Sequence, residues 1–158
     1  MATRSTIALE FADGTIGQVY AHWDGYLAHN GKILFENYSD PFKLQKLIDL
    51  GDVSSLGADI GVKHEFDNPN KFGTPEFMAW NEVKRGMCTF YGRDRGETGV
   101  EARYFKDYTD FLLNGQSEEY DYLLRNVNDV ATWFVSLNGK VFILLTEAFA
   151  KEAEAEVA

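Results

Sequence analysis

Alternating apolar and polar positions at the start of the chain predict a β-hairpin. Two β-rich runs, 6–11 and 15–23, are separated by an Ala-Asp-Gly sequence at 12–14. Asp-Gly tolerates the positive φ that tight hairpin turns require. We therefore expect the two runs to form strands that pair antiparallel across this turn.

Three further runs near the C-terminus, 119–125, 130–137 and 140–146, are aromatic and β-branched. An Asn-Gly pair at 138–139 lies between the last two runs, and this dipeptide is the strongest short hairpin pattern. The runs predict a three-stranded meander. We expect it to form an antiparallel sheet together with the N-terminal hairpin.

Apolar residues recur at helical spacing in 26–38, in 41–50 and in 100–113. Residues 52–85 have no regular pattern and are rich in Gly, Asp and Asn, which predicts a long loop. The expected fold class is therefore α+β, with an antiparallel sheet and helices packed on one side.

Composition and length agree with a globular protein of this kind. The chain has 158 residues, of which 45% are apolar and 15% aromatic, enough to build a packed core. We expect residues 1–146 to form a single α+β domain. Residues 147–158 alternate good helix formers without an apolar stripe, which predicts a surface helix or a frayed acidic tail.

The net charge of −10 argues against direct binding of nucleic acid or of an anionic membrane, since both depend on clustered Lys and Arg. The charge is uneven along the chain. Residues 97–158 hold 12 acids and 5 bases, and residues 1–96 hold 13 acids and 10 bases. Bases outnumber acids locally in 84–95, so the balance leaves room for one small anion.

Cysteine content and the chain start indicate a reducing compartment. Cys88 is the single cysteine, which excludes an internal disulfide and a cysteine-based zinc site, and its apolar surroundings predict a core position. Residues 1–6 hold a single basic residue and no apolar run follows them, so we expect neither a signal peptide nor a transit peptide. The longest uninterrupted apolar run, 141–145, is too short to cross a bilayer. We expect a cytoplasmic protein.

The segment His22-Trp23-Asp24-Gly25-Tyr26 is the first candidate site. Strand alternation would place His22 and Asp24 on one face, where the carboxylate could orient the imidazole for acid–base chemistry. The structural alternative is that Asp24 caps the following helix. The aromatic rings of this segment also suit stacking on a planar ligand.

The segment 91–97 is the second candidate site. Their spacing would make Arg93 and Arg95 point the same way from an extended chain, and forked guanidinium groups could bind phosphate or carboxylate there. The alternative is a salt-bridged turn with neighbouring acids. The spacing of the three histidines does not indicate a metal site, and we expect neither metal nor cofactor.

Four motifs occur together and in order: ATRSTI at 2–7, HWDGY at 22–26, GDVSSLG at 51–57 and GRDRGE at 92–97. In these motifs the chain resembles a family of small proteins of tailed phages and some bacteria. The resemblance implies a phage accessory protein that acts in the host cytoplasm. By analogy with small phage accessory proteins, it would redirect or block host machinery, including defence systems.

The leading hypothesis is a counter-defence protein that binds, without turnover, a small phosphorylated planar ligand such as a nucleotide signal. A small anionic ligand or a host protein is the expected partner, and homo-oligomerisation stays open. The predicted ligand-binding residues are Arg4, His22, Trp23, Tyr26, His29, Tyr91, Arg93 and Arg95.

Two alternatives remain at this point. The first is an acidic, DNA-mimic-like inhibitor of a host nucleic-acid-binding protein, and its acids would be Glu118, Glu119, Asp121, Glu147, Glu152, Glu154 and Glu156. The second is a small hydrolase with His22 and Asp24 as catalytic pair. No nucleophile accompanies that pair in the sequence.

Overall fold

The N-terminal hairpin forms around the predicted turn. In the computed structural model, which describes residues 2–157, β1 (Ser5–Glu10) pairs antiparallel with β2 (Ile16–Ala21). Asp13 closes the turn by accepting hydrogen bonds from the amide (3.0 Å) and the hydroxyl (2.6 Å) of Thr15. The predicted hairpin is therefore confirmed.

The C-terminal meander is also confirmed. Strands β6 (Tyr120–Val127), β7 (Val130–Leu137) and β8 (Ile143–Leu144) pair antiparallel in chain order. Both turns, at 128–129 and at 138–139, have two residues with positive φ. Asn, Asp and Gly adopt this conformation most readily, which explains why these residues occupy the turns.

The two units join in one mixed sheet, so the prediction of an antiparallel sheet is wrong. Three short strands, β3 (Val53–Ser55), β4 (Thr89–Phe90) and β5 (Arg103–Phe105), complete it. The strand order is β4-β3-β2-β1-β6-β7-β8, with β5 also beside β2. The β1–β6 and β2–β3 pairs are parallel, and the other pairs are antiparallel.

A parallel pair needs a crossover connection, and helices supply it between β2 and β3. The crossover consists of a π-helical turn (Leu27–Gly31), α1 (Lys32–Asn37) and α2 (Pro41–Asp49). Asp40 caps α2 by accepting a hydrogen bond from the Phe42 amide at 2.9 Å. Both helices predicted in this region therefore exist.

Three other helices differ from expectation. Helix α3 (Pro75–Arg85), with Thr74 as N-cap, lies inside the segment predicted as a loop. The helix predicted at 100–113 is shorter, because β5 pairs with β2 and only α4 (Tyr108–Asn114) remains. Helix α5 (Leu145–Val157) begins earlier than expected and shortens β8.

Strand alternation gives the sheet two different faces. The main face packs on α1, α2 and α5, and the core between the sheet and these helices includes the buried residues Ile7, Leu9, Val19, Leu34, Leu44, Ile48, Tyr122, Val135 and Leu145. The second face carries a smaller apolar cluster under α4, formed by Ala8, Ile16, Phe105, Phe111 and Leu123. Helices therefore cover both faces, and the prediction that they pack on one side is wrong.

Within residues 2–157, no helix combines the length and the apolar character that a membrane span requires.

Candidate functional site

Beyond the apolar cluster, the second face of the sheet becomes polar. Because side chains alternate along strands, every second residue of neighbouring strands reaches the same face. Strand register and alternation assign this polar half the residues Arg4, Thr6, Gln18, Tyr20, His22, Arg103, Asp121 and Ser136. Arg4, Tyr20 and His22 lie at the open end of the β1–β2 hairpin, opposite its turn. Arg4 and His22 are predicted site residues, and Tyr20 is a new one.

Tyr20 and His22 form the centre of the candidate site. The Tyr20 hydroxyl lies 2.7 Å from His22 Nδ1, and the tautomer of the imidazole decides which group donates. Burial raises the pKa of Tyr20, and the positive charge of Arg4 opposes part of that rise. Arg4 is exposed and lies within electrostatic reach of the Tyr20 hydroxyl.

Asp52 and Arg103 support Tyr20 from the gap between β3 and β5. Asp52 Oδ1 accepts a hydrogen bond from the Tyr20 amide at 2.8 Å and lies 3.6 Å from Arg103 Nη2. Burial raises the pKa of Asp52, while the Tyr20 amide and Arg103 act in the opposite direction. Arg103 Nε and Nη2 are out of contact with solvent and have no hydrogen-bond partner within residues 2–157. These two donors therefore lie beside Asp52, at ion-pair distance for Nη2, without forming a hydrogen bond.

The structure pairs His22 with Tyr20 and not with Asp24. Asp24 has a φ of +56°, so the strand alternation that would align its side chain with His22 ends there. The next residue, Gly25, packs so closely on Ser5 that a Cβ would lie 2.7 Å from Ser5 Cβ. The tight turn explains why the predicted His–Asp pair does not form.

The remaining aromatic residues of this segment lie next to the centre. The Trp23 ring meets the His22 ring edge-on at 4.7 Å and is 44% exposed. The ring centroids of Tyr26 and His29 are 6.0 Å apart, and His29 Nδ1 lies 2.9 Å from Asn30 Oδ1. Trp23 is therefore available to a ligand at His22, while His29 is engaged by its neighbour.

Arg93 holds the chain together and does not extend to solvent. Its guanidinium donates to the carbonyls of Ile60 (3.1 Å), Gly61 (3.2 Å) and Cys88 (3.0 Å). Its Nε donates to Asp94 Oδ1 at 3.1 Å. These hydrogen bonds join the residues that follow β3 to the residue that precedes β4. Arg93 therefore has a structural role.

Arg95 has a different environment. Its side chain is 55% exposed, with Nε 3.5 Å from Glu97 Oε2. Its guanidinium lies 4.8 Å from the centre of the Phe66 ring, and the centres of the Phe66 and Tyr91 rings are 5.8 Å apart. Arg95 therefore presents a positive charge beside two aromatic rings.

Tyr91 links the two predicted segments. Its amide donates to the Asp52 carbonyl at 3.3 Å, and the Asp52 carboxylate in turn accepts from the Tyr20 amide. Tyr91 also lies within electrostatic reach of Tyr20. The connection between the HWDGY and GRDRGE segments therefore runs through Asp52 and Tyr91 and not through Arg93.

Sequence reasoning missed Tyr20, Asp52, Phe66 and Arg103. Tyr20 could have been found, because it stands two residues before His22 and shares its face. The other three reach the site through strand pairing and loop packing, for which the sequence holds no local pattern.

Two other predictions concern reactive and charged groups. Cys88 is buried, as predicted, and burial raises the pKa of its thiol. Asp121, one of the acids of the inhibitor hypothesis, is only 4% exposed and cannot imitate a surface phosphate. Within residues 2–157, no group of three His, Cys, Asp or Glu side chains is arranged to hold a metal ion.

Comparison of the chain with protein-family models, with curated proteins and with solved structures finds no match.

Proposed function

We propose that this protein binds, without turnover, a small phosphorylated planar ligand such as a nucleotide signal. The ligand would lie on the surface formed by Tyr20, His22, Phe66 and Tyr91, here called the aromatic surface. In line with the resemblance to phage proteins, we propose that it acts in the host cytoplasm as a counter-defence protein.

The observation that carries the proposal is the position of the two exposed arginines around the aromatic surface. Arg95 lies over Phe66, and Arg4 lies within reach of Tyr20. A guanidinium group binds phosphate through forked hydrogen bonds, and aromatic rings stack on planar groups. The two requirements of the ligand are thus met on neighbouring parts of one surface.

Two features support binding over catalysis. His22 Nδ1 is engaged by the Tyr20 hydroxyl and not by a carboxylate that would orient it as a general base. The Cys88 thiol is buried, and its raised pKa keeps it protonated at neutral pH. Neither group is prepared for nucleophilic chemistry on a bound ligand.

Isothermal titration calorimetry against a panel of linear and cyclic nucleotides tests the proposal. We expect saturable heat from at least one nucleotide with the wild-type protein. The double variant Arg4→Ala plus Arg95→Ala should weaken binding by tenfold or more, because both charge partners of the phosphate are lost, at about 1–2 kcal/mol each. Both residues are exposed, so the fold should be retained.

The matched control is Lys32→Ala plus Lys106→Ala, which also removes two exposed positive charges but leaves the aromatic surface unchanged. Its affinity should equal that of the wild type. Absence of heat from every nucleotide, or equal affinity of the Arg4 and Arg95 double variant, would contradict the proposal.

A further inference from the structure

A separate cavity lies on the polar half of the second face, between α4, the loop that precedes β6, and the β7–β8 turn. Its volume is about 260 Å³. Phe111, Leu112 and Phe142 form an apolar wall, and Ser117, Asp121 and Ser136 contribute polar groups. The cavity is slightly smaller than those that hold drug-sized molecules, so it suits a small ligand.

Asp121 is the buried charge of this cavity. Its Oδ1 accepts hydrogen bonds from the Thr6 hydroxyl at 2.7 Å and the Glu118 amide at 3.1 Å. Its Oδ2 has only two long contacts, to the Glu118 amide at 3.3 Å and to the Ser117 hydroxyl at 3.4 Å. These contacts come from three donors, because the Glu118 amide is shared by both oxygens. Since a carboxylate accepts about four hydrogen bonds, Oδ2 retains capacity for one more strong donor.

No cation of residues 2–157 pairs with Asp121. The ion pairs of the described chain leave this carboxylate out, although a buried charge is normally paired. Lys140 lines the same cavity, but it is exposed and its ammonium group is more than 4.0 Å from the carboxylate. The cavity therefore combines an apolar wall with a buried carboxylate that has no cationic partner within residues 2–157.

We propose that this cavity is a binding site for a small organic ammonium ion, a primary amine with a short apolar chain. The ammonium group would donate to Asp121 Oδ2, and the apolar chain would pack against Phe111 and Phe142. The site is distinct from the aromatic surface. Its ligand is a cation, whereas the ligand proposed for the aromatic surface is an anion.

Calorimetry with n-pentylamine, n-pentanol and pentanoate tests this inference, because the three probes have similar shape and differ in charge. At neutral pH the amine is positive, the alcohol neutral and the acid negative. We expect saturable binding of the amine, at least about tenfold weaker binding of the alcohol, and no binding of pentanoate, since only the amine forms a charge-assisted bond with Asp121.

Asp121→Asn keeps the shape of the side chain and removes its charge, so it should lower the affinity for pentylammonium at least tenfold. Glu119→Gln is the matched control, because it removes a neighbouring exposed carboxylate that does not line the cavity. Leu112→Trp, at an exposed position of the wall, keeps Asp121 and reduces the cavity, and it should also abolish binding.

Absence of saturable pentylammonium binding would overturn the inference. It would also fail if the alcohol bound as tightly as the amine, or if Asp121→Asn bound like the wild type. Should Asp121→Asn not fold, the Leu112→Trp result decides, because unchanged affinity in that variant places the amine outside the cavity.

Discussion

Asp94 and Asp121 are the two buried carboxylates of residues 2–157, and their surroundings differ in one respect. Asp94 is paired with a cation, because Arg93 Nε donates to it at 3.1 Å. Asp121 is held by hydroxyl and amide groups, and the nearest cation is not within ion-pair distance in this part of the chain. One carboxylate belongs to the framework, and the other faces a cavity.

The difference appears in the acidity of the two groups. Burial would raise the pKa of Asp94, but hydrogen bonds from Arg93 and from the Phe90 and His64 amides hold it below its usual value. For Asp121, burial dominates and raises the pKa, because its hydrogen bonds offset only part of that cost. A buried carboxylate is thus a structural element when the chain supplies its cation, and a candidate ligand-binding group when it does not.

The largest expected effect is the loss of Asp94. Asp94→Ala leaves the Arg93 guanidinium without its anion and two backbone amides without an acceptor. Breaking a buried ion pair in this way costs about 3–5 kcal/mol. Urea denaturation followed by circular dichroism measures the free energy of unfolding.

Glu97→Ala provides the comparison for that variant. Glu97 also faces an arginine, Arg95, but this pair is at 3.5 Å and both side chains are largely exposed. Exposed ion pairs contribute about 0–1 kcal/mol, so the loss should be small. If Asp94→Ala and Glu97→Ala had equal stability, Asp94 would not have the structural role assigned to it.

The pH dependence of stability should separate the two aspartates by sign. Because the pKa of folded Asp94 lies below its ordinary value of 3.8, its ionisation stabilises the fold above that pH and the contribution is lost as the pH falls through the folded pKa. For Asp121 the folded pKa lies above 3.8, so raising the pH from 3.8 through the folded pKa costs stability.

Measured from pH 7 down to pH 3, the destabilisation caused by Asp94→Asn should therefore shrink. Over the same interval Asp121→Asn should become less favourable relative to the wild type. Urea titrations of the two variants and the wild type at each pH give both differences. Parallel pH profiles would show that the environments of the two carboxylates do not differ as described.

The parts of the fold that local residues determine were predictable. The Asp-Gly and Asn-Gly turns at 13–14 and 138–139 require positive φ at their glycines, so the sequence indicates where the chain reverses. The parallel pair of β1 with β6 brings Thr6 to Asp121, which is 115 residues away. No local pattern encodes that pairing, and it changes an antiparallel sheet into a mixed one.

The same distinction holds for the candidate site. His22 and Tyr91 were identified from composition and position, whereas Asp52 comes next to Tyr20, and Arg103 next to Asp52, only through the pairing of distant segments with β2. In 103–105, pairing with β2 overrides a helical pattern of aromatic residues. Tertiary contacts of this kind are not visible in a single sequence.

At neutral pH, Asp121→Asn should change the free energy of unfolding by less than about 1.5 kcal/mol, because it removes no ion pair and relieves the burial of a charge. The asparagine carbonyl can still accept from the Thr6 hydroxyl or the Glu118 amide. Chemical denaturation at pH 7 measures the change. A loss as large as that of Asp94→Ala would mean that Asp121 is a framework residue like Asp94.

Arg95→Ala should have the smallest effect on stability, and Arg93→Ala is the variant with which it is compared. The sequence presents the two arginines as equivalent, but Arg93 donates to three backbone carbonyls and to Asp94, while Arg95 is over half exposed. We expect a change within about 0.5 kcal/mol for Arg95→Ala and a loss of about 3 kcal/mol or more for Arg93→Ala. Thermal and urea unfolding of both variants measure the difference. Only Arg95→Ala should lower nucleotide affinity while leaving the fold intact, because the exposed Arg95 guanidinium can reach a ligand, whereas that of Arg93 is occupied by the backbone and by Asp94. Equal stability of the two variants would remove the ground for assigning Arg95 to the ligand and Arg93 to the framework.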